Sequence, residues 1–198
     1  MKIIIVGATG TLGKRVTEDF MQEHDVVRVG NTQGDIHVDI TNETSIKAMF
    51  EQVGPFDALI STSGKGPFLP LNEMTGEAFK TSLLDKLLGQ VNLVLIGQHY
   101  INNGGSFTLT SGILADYPFA AGSALSAANG GLNAFVMAAA AELTNNVRLN
   151  VISPNVVEDS PSYFDSFPGE IPVAMERVVS AFKKSVLGIA TGQVIRVY

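Results

Sequence analysis

One short run near the start of the chain constrains its fold more than any other feature. Gly7-Ala8-Thr9-Gly10-Thr11-Leu12-Gly13 follows the apolar residues 3–6 and precedes a segment whose apolar residues recur every four positions. A continuously apolar run of this length predicts a buried strand, and a spacing of four predicts an amphipathic helix. We therefore expect a strand, a tight glycine turn and a helix in direct succession, a unit typical of α/β folds.

The glycine turn has the composition of an anion-binding loop. Glycine lets the backbone turn tightly and approach a pyrophosphate, and the N-terminus of the following helix offers free N–H groups to that anion. Three glycines in this context favour a dinucleotide, although the same turn without a ligand is the alternative. The residues expected to hold the dinucleotide here are Gly7, Thr9, Gly10, Thr11, Leu12 and Gly13.

Short apolar runs and longer helical patterns alternate along the rest of the chain. The predicted strands cover residues 3–6, 26–29, 57–60, 107–109, 148–152 and 194–197, with 37–40 extended. The predicted helices cover about 12–23, 42–53 with Thr41 as N-cap, 83–100 ended by 102–105, 120–143 and 173–186. Such alternation predicts a doubly wound parallel sheet with helices on both faces, in a single domain over residues 1–198.

Composition excludes several classes of protein. Hydrophobic residues make up 45% and charged residues 16%, so the chain can bury a core. Thirteen basic against nineteen acidic side chains give a net charge of −6, which argues against a nucleic-acid partner. There is no cysteine for disulfides or thiolate catalysis, and His24, His37 and His99 lack metal-ligand spacing. We expect no metal site.

The apolar runs also bear on location. None approaches the ~20 residues of a membrane span, and the first run is too short for the core of a signal peptide. A chain without cysteine also suits a reducing compartment. We expect a cytoplasmic protein with no membrane partner.

The end of the second predicted strand bears on the kind of dinucleotide. An NAD-type site usually places an acid there, but Asn31 and Thr32 follow this strand, and the first acid is Asp35. Without that acid a 2′-phosphate is not repelled, so NADP(H) is favoured and NAD(H) is the alternative. The basic residues available to meet the phosphate are Lys14, Arg15 and Arg28.

Asp39 allows two interpretations. It follows an extended segment and precedes a helix, so it can act as a capping acid. It can equally accept a hydrogen bond from an adenine amino group. Spacing alone does not separate the two.

The chain resembles the short-chain dehydrogenases/reductases over nearly its whole length. Segments of matching pattern carry the resemblance: the glycine turn, Asp39-Ile40-Thr41, Ser61-Thr62-Ser63-Gly64, Thr110-Ser111, Ser153-Pro154-Asn155-Val156-Val157 and Thr191-Gly192-Gln193-Val194-Ile195. The resemblance implies a Rossmann-type domain that binds NAD(P)(H). It places Asp39 and Ile40 at the adenine and Ser61, Thr62 and Ser63 beside a ribose. It also implies that Pro154, Asn155 and Val156 lie beside the nicotinamide.

The resemblance breaks at the family's catalytic group. By the register of Ala140-Ala141-Glu142-Leu143, Leu125 stands at the position of the family's Tyr and Asn129 at that of its Lys. Lys86 replaces the family's Asn, and only Ser111 remains. Leucine has no proton to donate, and losing a general acid typically costs about 10²–10⁴-fold in rate. The family's own mechanism is therefore not expected here.

Substitutes for the missing groups are available. Ser111, Lys86 and Asn129 are the candidate catalytic residues, with Ser111 orienting a carbonyl, Lys86 supplying charge and Asn129 bonding the cofactor ribose. The alternative for Lys86 is an exposed helix lysine with its head in water. Tyr117 or Tyr163 can lean over the cofactor, or merely pack. The aromatic loop 160–169 either covers an apolar or flat substrate or packs its own rings.

Two functions follow from this pattern. The first is an NADP(H)-dependent oxidoreductase acting on a small carbonyl or alcohol with a non-standard proton donor. The second is a catalytically inactive NADP(H)-binding sensor or scaffold. The small residues of segment 120–141 allow another helix to approach closely, and family members commonly dimerise through this helix and the one before it. We expect a homodimer.

Overall fold

The computed structural model describes all residues, 1–198, and confirms a doubly wound parallel sheet. Its seven strands follow the order β3-β2-β1-β4-β5-β6-β7, and every neighbouring pair is parallel. The strands are β1 Lys2–Val6, β2 Asp25–Gly30, β3 Ile36–His37, β4 Phe56–Ser61, β5 Ile101–Thr110, β6 Arg148–Pro154 and β7 Val194–Val197.

Six α-helices flank the sheet, together with one π-helical turn and two 3₁₀ segments. The α-helices are α1 Thr11–Phe20, α2 Glu43–Val53, α3 Gly76–Ser82, α4 Gly89–Gly97, α5 Ser123–Ala139 and α6 Met175–Leu187. The π turn covers Leu83–Leu88, and the 3₁₀ segments cover Ile113–Ala115 and Pro161–Ser166. None of these helices is both long and apolar enough to cross a bilayer.

Strand β1 is buried on both faces, which explains its unbroken apolar run. Ile3 and Ile5 pack in one core with residues of α1 and α6, whereas Ile4 and Val6 pack in another with residues of α2, α4 and α5. Helices therefore cover both faces of the sheet, as the alternation predicts.

The segment 83–105 differs most from its prediction. One helix over 83–100 is wrong, because α3, the π turn and α4 follow one another with different hydrogen-bond periods. Residues 102–105 do not end a helix but lie inside β5, where pairing with β4 jumps from Ile101 to Ser106 across a bulge. Gly104 at φ +75° supplies the conformation that this bulge requires.

Two helix ends also differ. Asn42, not Thr41, caps α2, since its Oδ1 accepts from the backbone N–H groups of Thr44 and Ser45 at 2.9 and 3.2 Å. Helix α5 begins later than predicted because Ala121 lies at φ +62°, a left-handed conformation that a helix excludes.

Candidate functional site

Two adjoining cavities lie at the carboxyl ends of the strands, where open α/β sheets place their ligands. The first, of about 330 Å³, is lined by residues that follow β1, β2 and β4. The second, of about 440 Å³, is lined by residues that follow β5 and β6 and by one face of α5. Gly64 and Lys65 line both cavities, so the two form one continuous cleft.

The glycine turn shapes the floor of this cleft. Gly7 lies at φ +83° and donates its N–H to the Val29 carbonyl at 2.8 Å. A Cβ at Gly13 would collide with the carbonyl oxygen of Gly7, so the start of α1 can pack this closely only without a side chain. Gly10, the N-cap of α1, makes no side-chain cap, which leaves N–H groups of the first turn free for an anion.

Most of the predicted cofactor residues line the cleft. Those lining the first cavity are Gly7, Thr9, Gly10, Asn31, Thr32, Asp39, Ile40, Thr62 and Ser63. Those lining the second are Leu12, Pro154, Asn155 and Val156. Three predicted residues line neither cavity: Thr11, Gly13 and Ser61. Gly13 packs against the turn, and the buried hydroxyl of Ser61 is hydrogen-bonded to Ser63 Oγ at 2.8 Å.

The acid nearest the end of β2 is already paired. Arg28 donates to both Asp35 oxygens, at 2.6 Å from Nη2 and 3.2 Å from Nε, and these bonds lower the pKa of Asp35. Neither residue lines the cleft. Arg15 is likewise paired, with Glu176 at 3.3 Å. The Asn31–Thr32 end of the cavity is thus free of a carboxylate from this strand end.

Asp39 lines the first cavity but does not cap α2. Its Oδ1 accepts from the backbone N–H and the hydroxyl of Thr41, at 2.9 and 2.7 Å, and these bonds lower the pKa of Asp39. The carboxylate is therefore held in place at the cavity wall.

The three candidate catalytic residues come together in the second cavity. Ser111, Lys86 and Asn129 all line it, and so does Leu125, one turn before Asn129 on α5. Ser111 Oγ and Asn129 Oδ1 are buried and have no hydrogen-bond partner in the protein. Unpaired buried polar atoms are costly, so both are available to a ligand in this cavity.

Lys86 is not the exposed helix lysine of the alternative interpretation. It lies on the π turn, and its stem passes so close to Gly64 that a Cβ there would lie 2.7 Å from Lys86 Cδ. Its surroundings are protein on most sides, and this burial lowers the pKa of Lys86 to about 8. The ammonium group makes no salt bridge.

The two candidate tyrosines differ. Tyr163 lines the second cavity, whereas Tyr117 does not and instead packs edge-on against Tyr198, with ring centroids 5.9 Å apart. Phe167 of the aromatic loop also lines the cavity, while Phe164 packs beside it. The loop thus contributes two rings, Tyr163 and Phe167, to the wall of the second cavity.

Several lining residues escaped the sequence reasoning. They are Lys65 and Asp85 at the first cavity and Gly66, Phe68, Gly112, Ile113 and Leu114 at the second. A π turn leaves no sequence signal, so the direction of Asp85 was not readable. The Gly-Pro-rich composition of 64–70 did mark a loop, but not that it forms the junction of two cavities.

Comparison with known proteins gives a consistent family. A family model described as enoyl-(acyl carrier protein) reductase matches residues 2–176. An uncharacterized oxidoreductase of Methylorubrum extorquens is 27% identical over 126 residues, which are 63% of this chain and 51% of that protein. A short-chain dehydrogenase/reductase of Stachybotrys chlorohalonatus is 29% identical over 157 residues, 74% of this chain and 58% of that protein. The chain thus matches little more than half the length of these curated relatives.

Solved structures agree over the full chain. The protein lin1944 from Listeria innocua superposes with a TM-score of 0.98 and 45% identity, covering 100% of both chains. A small-chain dehydrogenase in complex with NADPH superposes with a TM-score of 0.88 and 26% identity, covering 100% of this chain and 96% of the other. With the matching family model spanning most of its length, the chain belongs to the short-chain dehydrogenase/reductase family.

Proposed function

We propose that this protein is an NADP(H)-dependent oxidoreductase that interconverts a small carbonyl compound and its alcohol. One observation carries the proposal: a dinucleotide-type cleft continues into a cavity where two buried polar atoms, Ser111 Oγ and Asn129 Oδ1, lack partners. A cleft of this form holds a cofactor and presents its reactive end to a second ligand.

The residues present fit a dinucleotide. The tight packing of Gly13 on Gly7 and the open N-terminus of α1 suit a pyrophosphate. Asn31 and Thr32 offer hydrogen-bond donors at a strand end whose own acid, Asp35, is paired with Arg28 and does not line the cavity. The adenosine half would lie in the first cavity and the nicotinamide half in the second. The NADPH complex of the related small-chain dehydrogenase supports the choice of NADP(H).

The chain's own groups would then act on the substrate. NADPH would supply a hydride when bound. Ser111, whose N–H is fixed to the Ile152 carbonyl at 2.9 Å, would hold the substrate carbonyl by its hydroxyl. Asn129 would bond the cofactor ribose from α5. Leu125 cannot donate a proton, so the donor must lie elsewhere on the cavity wall.

The walls of the second cavity favour an apolar substrate. Phe68, Leu114, Leu125 and Phe167 line it, and its charged side chains, Lys65 and Lys86, are both cationic. A small carbonyl compound with an apolar or aromatic part fits such a cavity. A dicationic substrate does not.

The second candidate is a sensor or scaffold that binds NADP(H) without turnover, and the position of Leu125 on the cavity wall favours it. Calorimetric titration with NADPH and NADH, followed by NADPH oxidation with a panel of aromatic and aliphatic aldehydes and ketones, separates the two. We expect NADPH to bind more tightly and to be oxidised at a rate that Ser111→Ala lowers. Binding without oxidation by any compound supports the sensor, and failure to bind either cofactor contradicts both.

We also propose a homodimer formed through α4 and α5. Three leucines of the π turn and α4, at positions 84, 88 and 95, are 40–47% exposed, and Met137 of α5 is 56% exposed. Large apolar side chains on neighbouring helices favour association.

A further inference from the structure

The turn that carries Lys86 has an unusual conformation. Leu83–Leu88 is a π-helical turn between two α-helices, a local arrangement that is rare and is frequent at functional sites. Two neighbouring side chains of the turn line different cavities: Asp85 lines the first, and Lys86 lines the second. The two charges of the turn thus serve different halves of the cleft.

Gln90 fixes this turn to the strand that carries Ser111. Its Nε2 donates to the carbonyl oxygens of Lys86 and Thr110, at 3.0 and 2.9 Å, and its Oε1 accepts from the Thr110 N–H at 2.9 Å. Gln90 is fully buried, so these bonds are shielded from water. One side chain therefore sets the position of the Lys86 backbone relative to the residue directly before Ser111.

The charges around Lys86 are few. On its own turn Asp85 opposes the effect of burial on the Lys86 pKa, but its Oδ1 is bound to the Lys65 N–H at 2.9 Å. Lys65 is the charged residue of the loop segment 62–70, and α4 and α5 carry no charged side chain. On α3, Glu77 and Lys80 are exposed and line neither cavity. Tyr163 is the other titratable group on the second cavity.

We propose that Lys86 is the proton donor for carbonyl reduction in this cavity, a role that rests on the function proposed above. As the carbonyl carbon accepts hydride from the bound cofactor, the π electrons of the C=O bond move to oxygen. One Nζ–H bond of Lys86 breaks, its proton forms the new O–H bond, and its electron pair stays on nitrogen. The neutral amine then regains a proton from water, and alcohol oxidation runs the same steps in reverse.

The surroundings suit this role. An efficient general acid has a pKa near the operating pH, and the Lys86 pKa of about 8 meets that condition, whereas an ordinary lysine does not. The ammonium form is required for reduction, so the rate should fall as pH rises through this pKa. Ser111 would hold the same oxygen that Lys86 protonates.

Three variants separate proton donation from charge alone. Lys86→Met keeps the stem and removes the amine, and we expect a loss of about 10²–10⁴-fold in NADPH oxidation, with NADPH affinity little changed. Lys86→Arg keeps a charge that does not titrate, so it should not restore the rate. Because the chain has no cysteine, Lys86→Cys can be alkylated at that site with bromoethylamine to form thialysine. Thialysine has a lower amine pKa than lysine. Activity should therefore return, and the pH above which the rate falls should be lower than in the parent protein.

A second measurement does not depend on turnover. Reductive methylation of the unmodified protein at a series of pH values, read by mass spectrometry, should show Lys86 becoming reactive near pH 8. NADPH should protect it. Lys80 on the exposed face of α3 is the internal reference, and alkylated Lys80→Cys is the matched control for the thialysine experiment.

The outcomes are distinguishable. Three results would overturn the donor role alone. The first is full activity of Lys86→Met or Lys86→Arg. The second is a thialysine variant whose activity falls at the same pH as that of the parent protein, and the third is methylation of Lys86 only at the pH where Lys80 reacts. Loss of activity in Tyr163→Phe with Lys86→Met active would assign the role to Tyr163. A parent protein that binds NADPH but oxidises it with no carbonyl would overturn the proposed function, and the donor role with it.

Discussion

At the scale of single residues, two glycines of the turn have different roles: Gly13 allows close packing, and Gly10 leaves room for a ligand. A Cβ at Gly13 would strike the Gly7 carbonyl, whereas a Cβ at Gly10 would meet that same oxygen only at 3.4 Å, an ordinary contact. Gly10 has φ −74°, which alanine adopts freely. The two positions are therefore matched tests of the same loop.

We expect Gly13→Ala to destabilise the protein by about 1–3 kcal/mol, because α1 must move away from the turn. Gly10→Ala should keep the melting temperature and instead weaken NADPH binding, since its methyl group lies where the backbone would approach the pyrophosphate. Thermal unfolding and calorimetric titration of both variants measure the two effects. Equal melting temperatures for the two variants would contradict the packing argument.

A carboxylate near β7 gives a pH-dependent contribution. Asp116 accepts from Arg196 Nε at 2.7 Å, from its Nη2 at 3.0 Å and from Tyr198 Oη at 2.5 Å, and these bonds lower the Asp116 pKa. Because the Asp116 pKa is lower in the folded protein than its ordinary value of 3.8, the ionised carboxylate stabilises the folded state at any pH above 3.8. This stabilisation disappears as pH falls below 3.8 and through the lower pKa of the folded state.

Asp116→Asn should therefore lower the free energy of unfolding at pH 7, by at most about 1 kcal/mol because the pair is open to solvent. The difference between the two proteins should begin to close as pH falls towards about 4 and should shrink in high salt. Urea unfolding at several pH values and salt concentrations measures it. A difference that grows on acidification would contradict the assigned sign.

At the scale of elements, the contact between the π turn and β5 depends on the side chain of Gln90. Gln90 replaces a neighbouring strand at Thr110 by pairing with both its N–H and its carbonyl. Gln90→Leu would leave those buried backbone groups without partners, at a cost of about 1–3 kcal/mol. It should also lower turnover, because the hydrogen bonds that fix the Lys86 backbone relative to the strand carrying Ser111 would be lost.

Gln98 is the matched control, because it is exposed and bonds only the Leu95 carbonyl of its own helix. Gln98→Leu should be close to neutral in thermal unfolding. If the two variants unfold at the same temperature, the Gln90 bonds contribute nothing to stability.

The elements also show how far sequence reasoning reaches. Strand β7 and the glycine turn were predictable because each depends on a local pattern of apolar residues or glycines. The π turn was not, because its hydrogen-bond period leaves no local sequence pattern; only the structure shows Gln90 bonded to the Lys86 carbonyl and α5 packed against the turn. The bulge in β5 was missed for a related reason: Asn102-Asn103-Gly104-Gly105 has the composition of a helix stop, and only pairing with β4 makes it a strand.

The site follows the same division. The residues after each predicted strand converge on the cleft because parallel strands end at one edge of the sheet. Lys65 and Asp85 were missed because loop and turn geometry, not strand register, brings them there. Lys86 was identified from its place in the family pattern, yet its burial beside Gly64 needed the structure.

At the scale of the whole molecule, the proposed dimer ties assembly to the site. Leu84 and Leu88 belong to the π turn that carries Lys86, and Leu95 lies on the following helix, so one surface spans both elements. A second copy packed there would cover the outer side of the turn and limit its motion. A variant that no longer dimerises should then show lower turnover as well as the mass of a single chain.

We expect the parent protein to sediment with the mass of two chains and Leu88→Glu/Leu95→Glu to sediment as one, since two buried charges per protomer oppose association. Met21→Glu is the matched control: Met21 is 54% exposed and follows α1, which packs on the opposite face of the sheet from α4 and α5, so its variant should stay dimeric. A double variant that remains dimeric would place the interface elsewhere. A monomer with unchanged NADPH oxidation would separate assembly from catalysis, and a monomer with reduced oxidation would show that the partner copy steadies the turn bearing Lys86.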